Sequence, residues 1–176
     1  MIETPRLLLR WPEPADRAPL HTMWADPAVM AQLGPVKDTA ASDATIARHA
    51  AYRADGLGFR AVVRRADGRT IGFCGLKPGA PDTPIAGELE IGWMLTTDSW
   101  GQGYAHEAAV ACIDWAWAQR REPRIVAITA SINAGSRRLM QRLGMRHLPA
   151  MDFDHPASPD GDPLRASVTY AIDRPA

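Results

Sequence analysis

The sequence predicts a single α/β domain built on a mixed sheet, and three observations carry that prediction. The chain has 176 residues, the usual size of one domain and long enough to bury a full core. A hydrophobic fraction of 46% and a charged fraction of 23% are those of a globular protein, which excludes wholesale disorder, a collagen-like chain and a coiled coil. The hydrophobic period also switches along the chain, helical before Gly56, alternating after Gly58, then helical and alternating in turn. The expected order is one strand, two helices, three antiparallel strands, helix, strand, helix and two last strands. That makes about seven strands and four helices in one domain, residues 1–176, with no repeat and no linker.

Each element has a local reason. Leu7-Leu8-Leu9 between two arginines reads as a short buried strand, stopped by Pro12 and Pro14. Asp16 to Trp24 reads as a modest helix, and Asp26-Pro27 as a turn. Residues 25–35 have no clear period and read as a loop or irregular helix. Thr39 or Ser42 caps a second helix running to about Ala54. Phe59–Val63 and Thr70–Leu76 form two strands joined at Asp67-Gly68, a strong hairpin signal. Lys77 to Gly87 is a Pro/Gly loop, and Glu88 to Leu95 reads as a central strand. Tyr104 to Arg120 is the best helix, Ala-rich and free of interior Gly or Pro. Ile125–Ala130 is a buried strand, Asn133 caps a helix that Gly144 closes, and Arg146–Phe153 and Ala166–Ile172 are the last strands.

Charge and cysteine usage exclude several functions. Lys plus Arg is 20 and Asp plus Glu is 20, so a strongly basic nucleic-acid binder is not expected. Cys74 and Cys112 stand alone, without a CxxC or Cys/His cluster, so no metal site is expected and both read as buried small hydrophobes. No apolar run reaches membrane-spanning length, and the first residues do not form a signal peptide, so a cytoplasmic protein is expected. A homodimer is compatible with all of this. His106, His147 and His155 are lone histidines and are not expected to be catalytic, and Trp115 and Trp117 read as packing groups.

The chemistry concentrates in Met94 to Ala105, where a strand ends, a glycine loop follows and the long helix begins. Gly101 and Gly103 let backbone approach a ligand, and the free N–H groups at the helix start form an anion site suited to a diphosphate. Ala105 keeps the first turn small. The alternatives fit worse: no GxxxxGK(S/T) exists, and a dinucleotide fingerprint lacks its third glycine and its following acid.

The segment Trp100-Gly101-Gln102-Gly103-Tyr104-Ala105 resembles the (Q/R)xxGx(G/A) motif of the GNAT family of N-acetyltransferases, with Trp100 in place of Gln or Arg. Continued through Glu107 and Ala108 it resembles the WGxGYAxEA form of the ribosomal-protein N-acetyltransferase branch. Asn133, Ser136, Leu139 and Gly144-Met145 resemble that branch's NxxSxxLxxxxG(F/M) segment, and Thr4-Pro5-Arg6-Leu7-Leu8-Leu9-Arg10 its usual start.

The resemblance implies a mostly antiparallel sheet splayed after its fourth strand, with acetyl-CoA as acyl donor. It implies that Met94, Leu95, Trp100, Gly101, Gln102, Gly103, Tyr104, Ala105, Asn133 and Ser136 hold the cofactor. An N–H of Met94 or Leu95 would polarise the thioester carbonyl, and a primary amine, a protein N-terminus or a small amine, would attack directly. Glu88 and Glu90, two apart on one strand, share a face, and either can serve as base, Glu90 being nearer the expected thioester. The family's tyrosine acid is missing, since Met140 stands near its place, and Ser136 is the available hydroxyl. The loops 25–33 and 153–163 are expected to flank the acetyl end, with Asp26, Asp154, Asp160 and Asp162 beside Trp24, Met30 and Phe153 as a seat for a cationic amine. The competing function is an acyl-CoA-binding regulatory module without turnover.

Overall fold

The computed structural model describes residues 1–175; Ala176, the last residue of the expected domain, lies outside them. A sheet runs β1 (Ile2–Glu3), β2 (Leu7–Arg10), β3 (Gly58–Arg64), β4 (Thr70–Pro78), β5 (Leu89–Leu95), β6 (Arg124–Ala130), β9 (Ala166–Asp173) and β7 (Arg146–His147), with β8 (Phe153–Asp154) also on β9. Only β5 and β6 pair in parallel. The helices are α1 (Arg17–Ala25), α2 (Pro27–Met30), α3 (Thr39–Ala50), α4 (Tyr104–Gln119) and α5 (Ala134–Arg142). None of them is long and apolar enough to cross a membrane.

The sheet therefore has nine strands rather than seven, and there are five helices rather than four. Ile2–Glu3 adds an edge strand, paired with Leu8 and Leu9. The expected strand 146–153 is broken by Pro149, which starts a short 3₁₀ turn between β7 and β8. Asp26-Pro27 is a helix start rather than a turn: the Asp26 carboxylate accepts the Ala28 N–H at 2.8 Å, and Pro27 occupies the first helical position. Asp38, not Thr39 or Ser42, caps α3, accepting the Ala41 N–H at 2.7 Å, and Ser42 is buried.

Both faces of the sheet are covered. On one, Leu89, Ile91 and Leu95 of β5 pack with Ala109, Cys112 and Ile113 of α4. On the other, Phe59 and Phe73 pack with Leu20, Met23, Trp24 and Met30 from α1 and α2. Both cysteines are free and fully buried. The Asp67-Gly68 hairpin forms as expected, Arg64 N–H donating to the Arg69 carbonyl at 2.8 Å and its guanidinium pairing with Asp67.

Candidate active site

The site begins where β5 and β6 part. β5 is paired with β4 from Leu89 to Leu95, but with β6 only at Leu89↔Ile125 and Glu90↔Val126. β6 goes on with β9 as far as Ala130↔Ser167, so a gap opens beyond Glu90. This is the splay, after the strand expected to be fourth and found to be fifth.

Ladder phase decides which backbone groups face the gap. Gly79 N–H donates to the Glu88 carbonyl and Thr96 N–H to the Ile71 carbonyl, both at 2.9 Å. In an antiparallel ladder these bonded pairs recur at every second residue. Glu90, Gly92 and Met94 therefore turn their amides towards β4, while Trp93 and Leu95 turn theirs into the gap. This corrects the expectation for Met94, whose N–H is committed to β4; its sulfur accepts the Trp24 indole N–H at 3.3 Å. The Leu95 carbonyl is met by the Trp100 indole N–H at 2.9 Å, and the Trp93 and Leu95 N–H groups remain for a ligand.

At the outer end of β5, residues 97–99 form a 3₁₀ turn, and Gly101 and Gly103 follow at φ 73° and 82°. Both lie in the left-handed region, which other residues occupy at a cost. Gly103 is the N-cap of α4 and carries no side chain to cap it. The first N–H to bond back is that of Glu107, to the Gly103 carbonyl at 3.0 Å; the N–H groups of residues 101–106 meet no acceptor among the described residues. Their direction and the α4 dipole make this an anion seat.

The gap and the loop line one cavity of about 610 Å³. Met94, Leu95, Trp100, Gly101, Gly103, Tyr104, Ala105, Asn133 and Ser136 all line it, and of the expected cofactor residues only Gln102 does not. Asn133 caps α5, accepting the Ser136 N–H at 3.0 Å, and its amide donates across the cavity mouth to the Gln32 carbonyl at 3.4 Å. Ser136 offers its hydroxyl to the same space, while Met140 is buried in the core. Arg138, Arg142 and His106 are the charged or chargeable lining groups, and no carboxylate joins them among the described residues.

The two glutamates stand elsewhere. Glu88 precedes β5 and is tied to the Arg124 guanidinium. Glu90 lies at the base of the gap, buried, with its carboxylate on the Lys77 ammonium. Burial pushes the Glu90 carboxyl above its ordinary value, against the pull of Lys77 and His155. Neither carboxylate lines the cavity.

The expected acceptor carboxylates are also engaged. Asp26 caps α2 and accepts from the Thr97 hydroxyl at 3.3 Å. Asp154 and Asp160 flank Arg165 at 3.4 and 2.8 Å. Asp162 accepts the Leu164 N–H at 2.8 Å. Trp24 and Met30 are core residues. These aspartates cap turns or pair with arginine, and none of them lines the cavity, although Ala28, Val29, Ala31, Gln32 and Leu33 of the 25–33 segment do.

The sequence reading passed over Trp93, which strand parity groups with the expected Leu95 and sets apart from Met94. It also passed over Arg6, which stood inside the quoted opening segment and whose guanidinium reaches the Gln102 carbonyl at 2.9 Å and Glu107 at 2.6 Å.

An acetyltransferase (GNAT) domain family model matches residues 6–146. The chain is 29% identical over 146 residues to the uncharacterized protein YkkB of Bacillus subtilis, covering 82% of this chain and 84% of that protein. It superposes on a GNAT-family acetyltransferase from Bacillus anthracis with a TM-score of 0.80 at 24% identity, covering 98% of each chain. It also superposes on RimL, a ribosomal alpha-N-protein acetyltransferase in complex with coenzyme A, with a TM-score of 0.77 at 15% identity, covering 97% of this chain and 95% of that one. The chain belongs to the GNAT acetyltransferase family and is, by that membership, an N-acetyltransferase.

Proposed function

We propose that the protein transfers the acetyl group of acetyl-CoA to a primary amine by direct attack, the acceptor being a protein N-terminus or a small amine. The observation that carries this is the continuity of unpartnered backbone donors, from residues 101–106 to the gap-facing amides of Trp93 and Leu95, along one acid-free cavity. A dianionic diphosphate fits the loop end, and an extended acyl-pantetheine arm fits the gap beside β5 as a missing strand would. Arg138 and Arg142 favour the same anionic donor.

In this reading the N–H of Leu95, one of the two expected, or that of Trp93 stabilises the developing oxyanion, by about 3 kcal/mol per donor. The amine nitrogen bonds to the acetyl carbon, the carbon–sulfur bond breaks, and CoA leaves as the thiolate. Glu90 takes the amine proton through water, because the residue stands at the last β5–β6 pairing, where the gap begins, and does not line the cavity wall. Glu88, held by Arg124, is the less suited of the two. Ser136 can return a proton to sulfur, and a thiol of pKa about 8.5 leaves tolerably without one.

The ribosomal-protein branch is supported by the Trp100–Ala108 and Asn133–Met145 segments, and a free N-terminus is the acceptor we favour over a lysine on a folded surface. We place the activity in the cytoplasm, where two free thiols stay reduced. The regulatory-module reading draws on one observation, the Lys77 ammonium already seated on Glu90. Calorimetry with acetyl-CoA, run beside thiol release with N-terminal peptides, lysine peptides blocked at the N-terminus and small amines, separates the two. Binding with acceptor-dependent thiol release supports the transferase. Binding without release from any acceptor supports the module, and a blocked lysine peptide as best substrate overturns the acceptor class.

A further inference from the structure

The anion seat has a back wall that none of the expected roles covers. Arg6, in the turn between β1 and β2, lies across the phosphate loop. Its Nη1 donates to the Gln102 carbonyl at 2.9 Å, and its Nε to Glu107 Oε2 at 2.6 Å. Its backbone N–H donates to Glu107 Oε1 at 2.9 Å, and the Thr4 hydroxyl donates to the same oxygen at 2.6 Å. The guanidinium carbon stands 4.5 Å from the centroid of the Tyr104 ring. The turn is itself fastened to the sheet, Arg65 donating from its side chain to the Thr4 carbonyl and from its N–H to the Arg6 carbonyl, both at 2.9 Å. One side chain thus joins three successive parts of the seat: the loop carbonyl at 102, the first helical ring at 104 and the first-turn carboxylate at 107.

The carboxylate gives this arrangement a consequence for binding. Glu107 occupies the first turn of α4, where a negative charge gains from the helix dipole. A ligand diphosphate seeks the same end of the same helix, so an unpaired Glu107 would repel it. Burial alone would raise the Glu107 carboxyl, but the Thr4 hydroxyl and the Arg6 amide and guanidinium outweigh it and hold the group below its ordinary value. Arg6 is about half exposed and Glu107 mostly covered, so the negative charge is the more enclosed of the two.

We propose that Arg6 is a positioning residue for the donor: it fixes the six-amide loop in its binding geometry and neutralises Glu107, so that the helix end accepts a diphosphate. This rests on the reading of the loop as the acetyl-CoA seat. It separates two parts of the donor, since only the nucleotide end meets the clasp, and the acyl-pantetheine end does not.

The test is a double-mutant cycle read with two donors. Wild type, Arg6→Ala, Glu107→Gln and the double variant are titrated calorimetrically with acetyl-CoA and with S-acetylpantetheine, which has no diphosphate. Melting curves run alongside report the fold. Arg6→Ala is expected to weaken acetyl-CoA at least tenfold and to leave S-acetylpantetheine within twofold. Adding Glu107→Gln is expected to recover most of that loss, because the stranded charge is gone. The losses should also shrink in high salt. An Arg6→Ala protein that binds acetyl-CoA as wild type does overturns the clasp alone, as does one that loses both donors equally or is not rescued by Glu107→Gln. Wild type that binds no acetyl-CoA overturns the seat and the clasp together.

Discussion

The two sides of the open sheet use their polar groups in opposite ways. On the side of α4 and α5, backbone donors stand free: the N–H groups of residues 101–106 meet no acceptor among the described residues, and all of these residues but Gln102 line the cavity that Trp93 and Leu95 also line. On the side of α1 to α3 and the 148–165 segment, the buried Ser42 hydroxyl has no partner, but the charged side chains near the cleft are already joined. Asp26 caps α2, Asp160 holds Arg165, Glu90 holds Lys77, and His49 accepts the Phe59 N–H at 3.2 Å. The difference teaches that a seat for an anion shows as donors left over, whereas a carboxylate near a cleft mouth is as often a cap or an ion-pair partner. In the proposed reading, the donor half of the site is preformed by backbone.

The sharpest way to break this contrast is to remove the one acceptor-side group given a chemical role. Glu90→Gln keeps shape and removes the base, so the rate at saturating substrate should fall about a hundredfold near neutral pH, within the usual range for general-base catalysis. Raising the pH should restore part of it by freeing the amine, while acetyl-CoA affinity stays unchanged. A pH–rate profile checks this, and a dead Glu88→Gln beside a normal Glu90→Gln would move the base to Glu88.

Next in size comes the loop. Gly103 sits at φ 82°, and Gly103→Val forces a branched residue into the left-handed region where the backbone must meet phosphate. Acetyl-CoA affinity should drop at least tenfold, about 1.4 kcal/mol, with the protein still folded. Unchanged calorimetric affinity in a folded variant removes the loop from the seat.

His49 tests the closed character of the acceptor side through pH. Its imidazole lies against Phe59 and Phe73, and burial, aided by the charges of Arg48 and Lys77, lowers it from 6.5 to about 3. The unfolded chain therefore takes up a proton near 6.5 that the folded chain refuses. This contribution is intact above that value and is lost as pH falls towards 3. Between pH 6.5 and 5.5 the loss is about 1 kcal/mol, and His49→Gln should flatten it in urea melts at several pH values. Equal slopes for both proteins would mean that the ring is accessible to protons when folded.

The smallest effects belong to the aspartates. Asp26→Ala should cost about 1 kcal/mol of stability through the lost cap, and Asp160→Asn less than about 0.5 kcal/mol. Neither should change which amine is preferred, a comparison read directly in competition assays with a free N-terminal peptide and small amines. A shift in preference would restore these carboxylates to the acceptor seat.

How much of this was legible in the sequence follows the same division. The Trp100–Ala105 loop, α4, the Asp67-Gly68 hairpin and the Asn133 cap are local, each written in residues a few positions apart. Two-residue strands such as β1 and β8, and the single turn of α2, are too short to show a period. The partners of Glu88, Glu90 and Glu107 are Arg124, Lys77 and Arg6, separated by 36, 13 and 101 positions, and only folding brings them together. Of the two amides expected to face the gap, Leu95 does and Met94 does not: strand parity says that neighbouring amides turn opposite ways, but which parity faces β4 is set by the β4–β5 register, which sequence does not display.

Hydrogen–deuterium exchange of backbone amides, followed residue by residue as acetyl-CoA is added, tests the central claim most directly. Exchange should slow at residues 101–106 and at Trp93 and Leu95, whose amides have no acceptor among the described residues, and should not change at Met94, already bonded to β4. Protection confined to α1–α3 and the 148–165 segment, with residues 101–106 still exchanging freely at saturating acetyl-CoA, would contradict it.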